Sequence, residues 1–133
     1  MSFIYLKTKD VALIHFMIMK KYGDGEHAGI KDQDMLESAV HRPQQSAFGD
    51  EAYPRLVDKA AALFESLARN HCFHNGNKRT ALASVDIFLK KNGCKLIPND
   101  EDIEEFTVTV AQREVEFNEI VVWLEATTTE YRR

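Results

Sequence analysis

Apolar residues recur along this chain at the spacing of helices. From Val11 to Met19 almost every position is apolar, with Asp10 before the run and Lys20 and Lys21 after it. Thr8 can cap a helix from about Lys9 to Tyr22 and Gly23 ends it, so the run reads as a buried helix. The segment Gly23 to Lys31 carries three glycines and reads as a loop. Asp34 and Glu37 have capping-box spacing for a short helix ending near His41, which Pro43 stops.

A polar, irregular stretch follows from Gln44 to Glu51, with Phe48 in its middle. Beyond Pro54, residues Leu56, Ala60, Leu63, Phe64 and Leu67 fall at i, i+4, i+7, i+8 and i+11, a stripe one face wide on a helix ending near Asn70. The next helix spans about Asn77 to Asn92, with Leu82, Val85, Phe88 and Leu89 on one side and Gly93 as its stop. Cys94 to Ile97 allows only a stub of strand. Asn99 or Asp100 can cap a helix through about Gln112. Ile120, Trp123 and Leu124 mark a last helix, fraying over Thr127 to Arg133. The expectation is an all-α, single-domain bundle of about six helices over residues 1–133, without repeats or linkers.

Composition narrows the function. With 133 residues, 44% of them hydrophobic, the chain can build a core without staples. A net charge of −4 gives no global attraction to nucleic acid or to an anionic membrane, so any anion site must be local. Cys72 and Cys94 read as free thiols rather than a disulfide framework. No apolar run reaches the ~18 residues of a membrane span, and no signal-peptide pattern opens the chain. A cytoplasmic location is the default expectation.

The stretch that carries chemistry is His71-Cys72-Phe73-His74-Asn75-Gly76-Asn77-Lys78-Arg79. It is a loop running into a helix N-terminus, held at both ends by helices that pack into the core. Free N–H groups and the dipole at a helix start favour bound anions. Gly76 lets the backbone turn and come close to a ligand. Asn77 can cap the helix or reach a phosphate. Lys78 and Arg79 place positive charge in the first turn, where the dipole disfavours it; a bound phosphate would reverse that sign. His71 lies just upstream, and a histidine can act as a base near neutral pH. Plainer readings stand beside these. His71 can close the carbonyl end of the preceding helix, and Lys78 and Arg79 can be solvated charge. Phe73 is a core anchor for the loop under either reading, and His74 is exposed. Zinc on His71, Cys72, His74 and Cys94 would need a spacing that common sites do not use.

This stretch resembles the Fic/Doc signature, H-x-F-x-[D/E]-G-N-[G/K]-R, through His71, Phe73, Gly76, Asn77, Lys78 and Arg79. The lysine form resembles the Doc, or death-on-curing, branch of toxin–antitoxin toxins. Gly29-Ile30-Lys31-Asp32, Leu36 to Val40, Arg42-Pro43-Gln44, Lys59-Ala60-Ala61, Phe88-Leu89 and Asn92-Gly93 are similar to the rest of the Doc pattern. The resemblance implies an all-α Fic fold with His71 as the general base that takes a proton from a hydroxyl of a target protein. It implies ATP as substrate, with Gly76, Asn77, Lys78 and Arg79 around its phosphates and Arg69 as a further contact. It makes the stretch from Gln44 to Glu51 a flap that docks the target.

Two departures separate the chain from AMP-transferring Fic enzymes. Those carry glycine where Lys78 stands and a second arginine where Leu82 stands. Lysine crowds the pyrophosphate, and losing the arginine removes a bidentate clamp. Phosphate transfer to a translation factor, elongation factor Tu-like, is therefore the first expectation, and AMP transfer the alternative. A third departure is Asn75, where the family's acidic residue binds magnesium; an amide is a weaker ligand for Mg2+, so a catalytically degenerate binding module is a further alternative. A helix-turn-helix contact with nucleic acid through Lys78, Arg79, Lys90 and Lys91 is set aside by the overall acidity. No serine or threonine has the glutamate four residues on that the family's inhibitory helix requires. The implied inhibitor is a Phd-type antitoxin acting in trans.

Overall fold

The structure, a computed structural model, describes residues 2–97 and 99–131. The chain is all-α. In order it forms α1 (Thr8–Tyr22), α2 (Gln33–His41), a single 3-10 turn (Arg42–Gln44), a hairpin of β1 (Ser46–Ala47) and β2 (Asp50–Glu51), α3 (Leu56–Arg69), α4 (Asn77–Lys91), β3 (Cys94–Leu96), α5 (Asp100–Ala111), α6 (Phe117–Thr127) and β4 (Thr128–Glu130).

Helix α3 is the axis of the molecule. It packs against α2, α4, α5 and α6. The apolar stripe read from its sequence is too narrow: Lys59 through Phe64 and Ser66 through Ala68 are all buried, so the helix is covered on every side. Ala60, Ala61 and Ala62 are at zero exposure, and their small size lets the neighbouring helices approach closely. Phe64, Leu67, Val85, Phe88, Leu89, Ile120 and Leu124 fill the space around them in one cluster. On the far side Trp123 of α6 stacks on Phe106 of α5, with ring centroids 4.2 Å apart and planes 9° apart.

The polar residues of α3 are all answered. The Glu65 carboxylate takes Arg42 on one oxygen at 2.8 Å and Arg69 on the other at 2.7 Å. Lys59 is wholly buried; its ammonium donates to the Pro43 carbonyl at 3.3 Å and to Glu51 at 2.9 Å, beneath the Phe3 and Tyr5 rings. Burial alone would lower the Lys59 pKa, but Tyr5 and Glu51 outweigh it and the net shift is upward. The lysine therefore stays charged and pins β2 to the core. The hairpin it pins pairs Ser46 with Glu51 and Ala47 with Asp50. Its turn residues Phe48 and Gly49 both have positive φ, 54° and 86°, the two-residue geometry that suits strand twist. Phe48 stands fully exposed at the tip.

Several expectations at element ends are corrected. Helix α1 begins at Thr8 with Lys7 as the flanking residue, and the Asp10 carboxylate accepts from the Lys7 amide at 2.8 Å, so Thr8 is not the cap. For α2 the cap is Asp32, accepting from the Met35 amide at 3.0 Å, rather than Asp34 with Glu37. The run Val11 to Met19 is only half buried: Val11, Ile14, His15 and Met19 face the core, while Leu13, Phe16 and Met17 are exposed. Thr128–Glu130 does not fray. It pairs antiparallel with β3, Lys95 opposite Thr129, a long-range partner that local patterning cannot reveal. Arg132 and Arg133 lie outside the described residues. Cys72 and Cys94 are free thiols, as expected. Among the described residues no helix is long and apolar enough to cross a membrane.

The close approach around α3 makes a size prediction. Ala61→Leu should destabilise the fold by about 1–3 kcal/mol, because the added methylenes have no cavity to enter. A urea melt should show a lower midpoint with an unchanged slope.

Candidate active site

Helix α3 ends at Arg69, and two residues later His71 takes the left-handed conformation, φ 51°. Asn70 closes the last turn by donating its amide to the Ser66 carbonyl at 3.0 Å. A helix commonly terminates on such a left-handed residue, but glycine or asparagine usually fills it. Histidine there carries a backbone cost, which points to a use for its side chain. His71 is exposed, and among the described residues its ring makes no hydrogen bond.

From Cys72 the chain runs antiparallel to residues 29–32. Ile30 bridges Phe73, the Lys31 amide donates to the Cys72 carbonyl at 2.8 Å, and the His74 amide donates to the Gly29 carbonyl at 3.1 Å. Cys72 and Phe73 are buried in the core cluster. Burial, with the Asp32 carboxylate adding to it, pushes the Cys72 thiol up to about 11, so it is inert at neutral pH. His74 is exposed and stacks on His27, centroids 4.3 Å apart. Among the described residues no three His, Cys, Asp or Glu side chains lie close enough to hold an ion, which removes the zinc reading.

Asn77 neither caps the helix nor reaches outward. Its side chain accepts from the Phe73 amide and donates to the Phe73 carbonyl, both at 3.0 Å, closing residues 73–77 into a ring. The residue that precedes the helix is Gly76, at φ 74°. A Cβ there would sit 2.6 Å from the Met19 sulfur, so the close approach that glycine permits is to α1. Asn75 donates from Nδ2 to the His27 carbonyl at 2.9 Å, a bond an aspartate could not make.

The first hydrogen bond of α4 runs from the Thr80 amide to the Gly76 carbonyl at 2.9 Å. Ahead of it, the amides of Asn75, Gly76, Asn77, Lys78 and Arg79 have no acceptor among the described residues. They form a row of free donors on the positive end of a 15-residue helix. Lys78 is exposed and forms no ion pair among the described residues. Arg79 reaches the C-terminus of α1, donating to the Tyr22 carbonyl at 3.1 Å and lying 5.0 Å over the Tyr22 ring. The negative end of α1 thus offsets the unfavourable placement of this cation at the start of α4. Arg69 lies apart from this group. Its guanidinium donates to the Val110 and Val115 carbonyls, each at 2.7 Å, besides pairing with Glu65, which withdraws it from the phosphate contacts. A groove of about 700 Å³ opens beside Lys78 and Arg79, lined also by Tyr22, Leu82, Lys95 and Val108.

The family's sequence model, Fic/DOC, matches residues 5–89, from the start of the core to late α4. The chain belongs to the Fic/Doc family. It is similar to the protein named Toxin Doc of Mycolicibacterium smegmatis, 45% identical over 103 residues that cover 75% of this chain and 78% of that one. It is also similar to Protein kinase doc of Escherichia phage P1, 27% identical over 116 residues, 87% of this chain and 89% of the relative. The Fic/Doc loop is thus present here in a defined form: one end at His71, the other at Gly76, closed by the Asn77 clamp that follows.

Sequence reading missed one member of this site. His15, on α1, is fully buried against the loop. A single titratable residue inside the apolar run from Val11 to Met19 was the available signal.

Gly76 supplies a direct check. Gly76→Ala should cost about 1–2 kcal/mol for the left-handed backbone alone, plus the collision with Met19. In a Met19→Ala background the collision part should vanish and the backbone part remain. A double-mutant cycle by chemical denaturation separates the two.

Proposed function

We propose that this chain is a Doc-like toxin that transfers the γ-phosphate of ATP to a hydroxyl of a target protein, a translation factor of the elongation factor Tu type. The observation that carries this reading is the row of free amides from Asn75 to Arg79, closing a loop that opens on His71. The phosphates of ATP rest on these donors, with the backbone of Gly76 and Asn77 beneath them and the side chains of Lys78 and Arg79 beside them. His71 takes the proton of the target hydroxyl, the oxygen bonds to the γ-phosphorus, and ADP leaves. The fixed loop supplies orientation and charge stabilisation, the two terms on which phosphoryl transfer most depends.

Phosphate transfer is preferred to AMP transfer on two positions. Lys78 and Leu82 both line the groove, at the positions where AMP-transferring relatives carry glycine and arginine. The name of the phage P1 relative agrees with this choice. Magnesium would enter with the nucleotide and supply positive charge against its phosphates. The chain offers it little: Asn75 Oδ1 is a neutral oxygen that accepts no hydrogen bond among the described residues, while Nδ2 donates to the His27 carbonyl. That donor set suits an ion held mainly by phosphate oxygens and water. The groove beside Lys78 and Arg79 takes a short helix of a Phd-type antitoxin, supplied in trans because no serine or threonine here has the glutamate four residues on that an inhibitory helix requires. Co-purification with the product of the adjacent gene tests that partner.

The transferred group is tested by incubation with cell extract and ATP labelled at the α or the γ phosphate. Label from γ alone is expected on a protein band, and His71→Ala should lower it about 10²–10⁴-fold while remaining folded. Label from α would make the chain an AMP transferase, and no label from either would leave a binding module. A magnesium titration at fixed ATP tests Asn75. Asn75→Asp should reach half-saturation at lower magnesium and transfer faster. Coinciding curves would show that Asn75 does not limit the reaction.

A further inference from the structure

His15 has no place in the reaction described above, yet it contacts the loop, α4 and the 23–31 segment. Its ring lies face to face with Phe73, centroids 3.9 Å apart and planes 9° apart. Nδ1 is 3.2 Å from the Thr80 hydroxyl, and Nε2 accepts the Gly29 amide at 3.0 Å. The ring is at zero exposure. A backbone amide can only donate, so Nε2 must carry its lone pair. The proton of the neutral ring therefore sits on Nδ1, and the Thr80 hydroxyl accepts it.

These contacts join four pieces of chain. Phe73 lies two residues beyond His71. Thr80 is the residue whose amide opens the ladder of α4, next to the last free donor. Gly29 belongs to the segment that pairs with the loop through the His74 amide. We infer that His15 is a positioning residue: as the neutral Nδ1–H tautomer it fixes the distance between His71 and the free amides of α4. The inference rests on the reading of the loop as the phosphate-transfer site.

The surroundings favour that tautomer. Burial, with His74 adding to it, holds the His15 pKa below the ordinary histidine value. The titratable groups on the packed elements are the basic His74 on the loop, His27 stacked on it from the 23–31 segment, and Lys78 and Arg79 in the first turn of α4, together with the carboxylates Asp24 and Glu26 of the 23–31 segment and Asp86 of α4. Among the described residues no carboxylate pairs with His15. A second proton would have to go on Nε2, directly against the Gly29 N–H, and would break that bond.

The test uses the full chain and three readouts. First, 15N shifts of the His15 ring in the wild type should show Nδ1 protonated and Nε2 bare; an Nε2–H tautomer overturns the inference. Second, His15→Phe keeps the stack but loses both hydrogen bonds, and His15→Gln keeps an acceptor within reach of Gly29. Amide exchange at Gly29 should speed up about tenfold or more in H15F and be restored in H15Q. Third, the transfer rate at saturating ATP should fall about 10–100-fold in H15F, the scale set by misplacing reacting groups by about an ångström, and recover in H15Q. A folded H15F that transfers at the wild-type rate, while His71→Ala is inactive, overturns the inference and leaves the proposed function intact. If His71→Ala is itself fully active, the proposed function fails, and the tautomer and Gly29 exchange still decide whether His15 holds the loop. Should H15F not fold, H15Q decides: a Gly29 amide that exchanges freely beside an undiminished transfer rate overturns the inference.

Discussion

A helix covered on every side has no solvent face on which to place its polar residues, and α3 carries five of them: Asp58, Lys59, Glu65, Ser66 and Arg69. A buried charge without a partner costs several kcal/mol; Asp58 is met locally by Arg55, and the others draw groups from elsewhere in the chain. Lys59 brings in Pro43 and Glu51, and with them the hairpin. Glu65 and Ser66 are met by Arg42, which spans from the 3-10 turn and also holds the Tyr53 hydroxyl at 2.9 Å. Arg69 fixes the turn between α5 and α6. The polar groups of one buried helix thereby dictate where the flap base, the 3-10 turn and the C-terminal helices must lie, and that arrangement carries the loop at the end of α3.

The loop itself is a case of unsatisfied donors held in place by satisfied ones. Asn77 spends both polar atoms of its side chain on Phe73, Asn75 spends its amino group on His27, and Arg79 spends part of its guanidinium on Tyr22. What these bonds leave over is a set of backbone amides whose direction is already fixed. Donors oriented before a charge arrives need no reorganisation when it does, which is the main source of their catalytic worth. The left-handed residues His71 and Gly76 bracket the same loop, one at each end.

Much of this was legible along the chain. Six helices were expected and six are present among the described residues, because Val85, Phe88 and Leu89 or Ile120 and Leu124 report a buried face through spacing alone. The loop was legible because His71, Phe73, Gly76, Asn77, Lys78 and Arg79 occur together in one register. What was hidden depends on partners distant in sequence. Arg69 was expected as a phosphate contact because it stands two residues before His71; its carbonyl partners lie 41 and 46 residues away. Thr128–Glu130 looked like a fraying end because a strand of three residues has no local signal apart from its mate in β3. His15 was concealed inside an apolar run, where its neighbours suggested packing and nothing suggested a donor and an acceptor.

The reach of Arg69 also bears on how the molecule can be divided. The family match stops at residue 89, yet the helix that presents the loop is finished off by carbonyls at Val110 and Val115, and Phe64 in its middle rests near Phe106 and Trp123. A fragment cut at the edge of the match would keep every residue of the signature and lose the hydrogen-bond acceptors of the arginine beside it. It would also strip one side of the central helix to water, exposing apolar surface that the native chain never shows. The segment beyond α4 therefore packs on the helix that presents the loop, and expression boundaries drawn from the family match alone would sever it.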